Sequence, residues 1–124
     1  MRKSLQKLKP TLFENLTFDL LQAVGLTNLR WRTPGSDVGR DIQGELVVQD
    51  ISGDSTKQIW YVECKRYSKA ISWPIVYEKI AYAANHNADY LLLVTTSSVS
   101  PQCADEIKKH NESQKLQLRV AYSD

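Results

Sequence analysis

The sequence predicts an α/β fold of three layers, a mixed central β-sheet flanked by helices. Three observations carry this. Residues 41–49 and 59–66 both alternate apolar and polar side chains around a polar Gly-bearing stretch, the pattern of a hairpin. Residues 90–95 form a continuous apolar run, as in a strand covered on both faces. Segments of helical period separate the later strands, as parallel pairing requires. With 124 residues there is room for one domain, residues 1–124, large enough to bury a core without staples.

The elements follow in order. Residues 1–9 are basic, carry Leu5 and Leu8, and end before Pro10, which suits an arm or a short turn. Thr11-Leu12-Phe13-Glu14 matches a capping box, and Leu12, Leu16, Leu20 and Val24 then recur at helical spacing up to Gly25. A helix is expected over residues 12–24. Residues 29–33 alternate as a short edge strand before the turn cluster 34–37. In the hairpin, Ile42, Gly44, Leu46 and Val48 share one face, and Asp41, Gln43, Glu45 and Gln49 the other. Residues 50–57 form its loop. In the next strand Trp60, Val62 and Cys64 alternate with Tyr61, Glu63 and Lys65, giving an apolar core face and a charged face. Ser72 and Pro74 open a helix ending near Asn87, with Val76, Ile80 and Ala83 or Ala84 as its buried stripe. Ser100 and Pro101 open another, to about residue 112, and Leu116, Leu118, Val120 and Tyr122 alternate as a last strand.

Composition excludes several classes. Hydrophobic residues make up 42% and charged residues 24%, ordinary for a globular domain and unlike disordered or coiled-coil chains. The longest apolar run is too short for a bilayer, and the basic N-terminus is not followed by a signal-type apolar stretch, so a soluble, cytoplasmic protein with no membrane partner is expected. Cys64 and Cys103 then read as free thiols. A net charge of +2 gives little whole-molecule attraction for nucleic acid. Local clusters remain: Arg2, Lys3, Lys7 and Lys9; Arg30, Arg32 and Arg40; Lys65, Arg66 and Lys69. Each also reads as a solvated face.

Glu63 and Lys65 are two apart on a strand, so they project from the same side, and a hairpin can bring Asp41, at the start of one strand, beside the end of the next. Two carboxylates about 4 Å apart repel by several kcal/mol at an effective dielectric of about 20. A divalent cation removes that cost, and hard oxygen donors without Cys/His spacing favour Mg²⁺, with Mn²⁺ able to substitute, over zinc. Lys65 then stands where it can orient or deprotonate an attacking water and offset phosphate charge. The plain alternative is a surface ion pair of Glu63 with Lys65, and Asp41 at a turn.

These segments resemble the PD-(D/E)xK nuclease superfamily, and more closely its Mrr-like restriction-endonuclease branch. Gly35-Ser36-Asp37-Val38-Gly39-Arg40-Asp41-Ile42 is similar to that branch's Asp-Gly-Gly-x-Asp motif, with Val38 where glycine is usual and Ile42-Gln43 in place of a small residue. Val62-Glu63-Cys64-Lys65-Arg66-Tyr67 is similar to its [Glu/Gln]-Cys-Lys-Arg segment, and Leu92-Leu93-Val94-Thr95-Thr96 to its core strand. The resemblance implies the restriction-endonuclease-like fold, a metal held by Asp41, Glu63 and the backbone carbonyl of Cys64, and Lys65 as the base-like residue. An acidic residue on the first helix often joins such sites, and Glu14 is the matching position; a capping box accounts for it equally.

Arg40, Arg66 and Lys69 lie near this centre, where cations would hold a DNA backbone. Tyr67 and Trp73 suit base stacking or core packing, and His86 and His110 read as helix-surface residues. The expected function is Mg²⁺-dependent hydrolysis of DNA phosphodiesters, double-stranded by resemblance, in prokaryotic defence against foreign DNA. Target choice would come from further domains or a homo-oligomer, with this chain as an effector, such as the N-terminal module of a larger protein. Two other readings stand beside it: a non-catalytic nucleic-acid-binding or assembly module of the same fold, and a Holliday junction resolvase.

Overall fold

The computed structural model describes residues 10–32, 41–65 and 70–122. The arm over residues 1–9, the turn cluster 34–37, Arg40, Arg66, Tyr67 and Lys69 lie outside them, as do the side chains of Asp41 and Lys65. The elements run α1 Pro10–Ala23, β1 Thr27–Arg32, β2 Asp41–Gln49, β3 Ser55–Lys65, α2 Trp73–Asn85, β4 Tyr90–Thr95, α3 Pro101–Ser113 and β5 Gln117–Tyr122. The sheet has the order β1-β2-β3-β4-β5. Its first two pairings are antiparallel and its last two parallel. No described helix is long and apolar enough to cross a membrane.

Two cores make the three layers. On one face Val76, Ile80 and Ala83 of α2 and Cys103 of α3 pack on Tyr61, Leu91, Leu93 and Leu118. On the other, Leu21 of α1 and Leu26 pack on Ile42, Val62, Cys64 and Val94. Cys64 and Cys103 are therefore buried in different cores, and both are free thiols.

The helix ends follow local chemistry. After α1, Gly25 adopts φ 108°, its N–H donates to Gln22, and the Leu26 N–H reaches back to Leu21 at 3.1 Å. These are the paired bonds of a Schellman stop, closed by the Leu21–Leu26 apolar contact. Asn87, at φ 62°, ends α2 in the same way, with Ala88 donating to Ala83. The Ser100 hydroxyl caps α3 by accepting from Cys103 N–H at 3.1 Å.

Several expectations need correction. α1 begins at Pro10, so Thr11 lies inside the helix and Glu14 does not close a capping box. Its buried face is Glu14, Thr17 and Leu21, with Phe18 beside them, whereas Leu16, Leu20 and Val24 are exposed. Both sets have helical spacing; the sheet selects one. β1 starts at Thr27, ahead of residue 29, and the hairpin turn covers only residues 50–54, because β3 begins at Ser55. The charged face expected of β3 is covered: Tyr61, Val62, Glu63 and Cys64 are each at most 4% exposed. As the central strand of five, β3 has helices against both faces.

Asp89, just ahead of β4, stitches three strands. It exchanges backbone bonds with Ile59 of β3 and Gln117 of β5, and its carboxylate accepts from Ile59 N–H at 2.8 Å. Replacing Asp89 with Ala should cost about 1–3 kcal/mol in urea unfolding, since it strands the Ile59 amide; an unchanged midpoint would refute this role. Burial, with the negative charge of Glu106 second, raises the Cys103 thiol pKa. At pH 8 Cys103 should therefore carry less thiolate than a free cysteine and react slowly with a thiol reagent until urea opens the core.

Candidate active site

The β2–β3 ladder pairs Gln43 with Tyr61 and Ile42 with Val62. Asp41 and Glu63 each lie one residue beyond that last pair. Lys65 ends β3, paired with Thr95 of β4. The backbone thus brings Asp41, Glu63 and Lys65 to one end of the sheet, as the sequence indicates.

Glu63 is 4% exposed, on the face that α2 covers. One of its partners is Lys79 of α2, whose ammonium stands 3.3 Å from Oε1. Tyr61, Tyr82, Ala83 and Leu91 bound a hollow of about 10 Å³ beside the pair. Sequence reasoning missed Lys79. The signal was present, because position 79 falls between Val76 and Ala83 on the buried stripe of α2, where a lysine needs a reason.

Glu14 is also buried, at 4% exposure. It belongs to α1, which packs over Val62 and Cys64, so it comes from the sheet face opposite to Glu63. The capping box no longer explains it. β4 ends in hydroxyls beside Lys65: Thr95 and Thr96 are fully buried, Ser97 N–H donates to Thr95 Oγ1 at 3.1 Å, and Thr96 Oγ1 has no hydrogen-bond partner among the described residues.

The donor chemistry suits a hard cation. Among the described residues no three His, Cys, Asp or Glu side chains form a metal cage. Mg²⁺ rarely uses one, taking one or two carboxylates and completing its shell with waters and substrate phosphate. Glu63, Asp41 and the Cys64 carbonyl, the ligands the sequence suggests, would supply oxygen alone, since the Cys64 thiol is buried in the other core.

Other candidates have structural places. Trp73 packs half-buried against the α2–α3 core. His86 is exposed beside Tyr82, their rings 4.4 Å apart. His110 is half-buried instead of lying on the surface, its Nε2 2.9 Å from the Leu116 carbonyl, tying α3 to the start of β5. A hollow of about 510 Å³ between Tyr77, Ala81, Ala84, Asp89, His110 and Lys115 opens at the start of β4 and β5, the end of the sheet away from Glu63 and Lys65.

Comparison with known proteins agrees with the fold. A family model described as restriction endonuclease, the Mrr catalytic domain, matches residues 5–119. Among solved structures, the DNA modification-dependent restriction endonuclease AspBHI is similar at TM-score 0.66 and 22% identity, over 95% of this chain and 32% of that one. The MspJI restriction endonuclease in complex with a 27-mer oligonucleotide is similar at TM-score 0.52 and 17% identity, over 90% of this chain and 25% of that one. The chain therefore spans about a third and a quarter of these two proteins. No curated protein sequence gave a significant match.

Proposed function

This chain belongs to the restriction endonuclease family, and from that premise we propose that it is a Mg²⁺-dependent endonuclease hydrolysing phosphodiester bonds of double-stranded DNA. The observation that carries this reading is a buried carboxylate, Glu63, at a sheet end, one residue beyond the Ile42–Val62 pair as Asp41 is, and two residues before Lys65. A charge is expensive to bury, and a site that must hold a cation justifies it.

In this reading Asp41, Glu63 and the Cys64 carbonyl hold the cation, with Mn²⁺ able to replace Mg²⁺. Its chemistry would be to polarise the scissile phosphate and offset charge as it develops. Lys65 orients the attacking water or, as the neutral amine, takes up its proton, and its charged form offsets charge on the phosphate. Glu14 assists from the α1 side, while Arg40, Arg66 and Lys69 grip the DNA backbone without reading sequence. Because the similar proteins are three to four times as long, target selection is assigned to further domains or to a homo-oligomer. The assembled protein would act in the cytoplasm against foreign DNA.

Plasmid nicking should require Mg²⁺ and stop in EDTA, and Asp41→Ala, Glu63→Gln and Lys65→Ala should each lower its rate by at least about a hundredfold. Equal nicking by parent and variants would sink the assignment. For the DNA grip, Arg66→Ala or Lys69→Ala should each reduce the slope of log affinity against log salt by about 0.9, equally for any sequence. An unchanged slope would place those side chains away from the duplex.

A further inference from the structure

We propose that Lys79 is a positioning residue of this centre: it holds the Glu63 carboxylate before a cation arrives and yields it when one does. The inference rests on the metal-dependent reading above.

Glu63 and Lys79 are unlike two exposed ion pairs among the described residues. Lys109–Glu106 and Lys57–Glu45 are 3.8 and 3.9 Å long, and their lysines are largely exposed. In Lys79–Glu63 the separation is 3.3 Å, with 22% of the lysine side chain and 5% of the glutamate side chain exposed. Such a pair leaves little water at the carboxylate, so the ammonium is one of the groups that offset its charge. The adjoining hollow of about 10 Å³ has room for roughly one water. On that side Lys79 occupies the place another cation would take.

A divalent cation held by Glu63 would share that carboxylate with the ammonium, which stands 3.3 Å from its Oε1. Two cations drawn to one carboxylate repel strongly where water is scarce. Lys79 is able to leave, because its ammonium is carried on a flexible four-carbon stem that still reaches solvent. The lysine therefore competes with metal while keeping Glu63 oriented in the metal-free protein, and its displaced charge is available to an arriving phosphate.

The test titrates the full chain with Ca²⁺ by calorimetry, as the parent and as Lys79→Met, Lys79→Arg, Glu63→Gln and the Glu63→Gln/Lys79→Met double variant. Lys79→Met should bind Ca²⁺ about tenfold more tightly than the parent, as removal of a competing charge requires. Lys79→Arg should bind as the parent does, and Glu63→Gln should lose binding. Equal affinity of parent and Lys79→Met, with binding still lost in Glu63→Gln, overturns the role of Lys79 and leaves the metal centre standing. Ca²⁺ binding that ignores Glu63→Gln, or is absent from every protein, overturns both. If Lys79→Met does not fold in EDTA, the double variant should fold there and added Ca²⁺ should refold Lys79→Met. A Lys79→Met protein that stays unfolded in Ca²⁺ overturns the proposal.

Discussion

Double coverage of β3 is the constraint on which the remaining structure depends. Residues 61–64 are buried on both faces, and the strand is hydrogen-bonded along both edges. Its antiparallel edge receives β2 and fixes Asp41 one step past the Ile42–Val62 pair. Its parallel edge receives β4, and a parallel neighbour needs a crossover that α2 supplies. Both sides of the candidate centre are thus consequences of how one strand is paired. Apolar burial drives the assembly, while the alternation of β3 delivers Glu63 to one core and Cys64 to the other.

This arrangement places a charge where a stable core would want a methyl group. Truncating one member of a buried ion pair commonly costs about 3–5 kcal/mol, whereas replacing both with apolar residues is often neutral or better. Glu63 with Lys79 is accordingly poor as a stabilising device and sensible as chemistry. The fully buried Thr96 hydroxyl at the same end of the sheet, with no hydrogen-bond partner among the described residues, adds to the local cost. The opposite end is spent on structure: Asp89, Ala88 and the His110–Leu116 contact fasten strands and helices to each other.

Much of the fold was legible in the sequence because its signals are local. The alternation of β2, the apolar run of β4, the Gly25 stop and the Ser100-Pro101 start each depend on a few neighbouring residues. The buried stripe of α1 is not legible, because Leu16 and Leu20 repeat at helical spacing as Glu14, Thr17 and Leu21 do, and only the sheet distinguishes them. The face of β3 that carries Glu63 reads as a charged face, because alternation along one strand does not reveal that helices cover the strand from both sides. In the candidate centre, periodicity places Glu63 and Lys65 on one side of a strand, and the family resemblance is what joins Asp41 of the neighbouring strand to them. Lys79 is far from them in sequence, and its partnership with Glu63 arises only when α2 crosses back over β3.

The β2–β3 turn at residues 50–54 has a further consequence. Asp50 and Asp54 close it by a backbone bond of 2.9 Å, Gly53 turns at φ 91°, and Ser52 donates from hydroxyl and amide to Asp50, holding that carboxyl below its usual range. From there the ladder runs without a slip from Gln49–Ser55 to Ile42–Val62. A strand pair has only two phases, and a shift of one residue exchanges its faces. The turn is the phase marker of the molecule, a solvent-washed loop at the distant tip that decides whether a carboxylate or a thiol of β3 stands in line with Asp41.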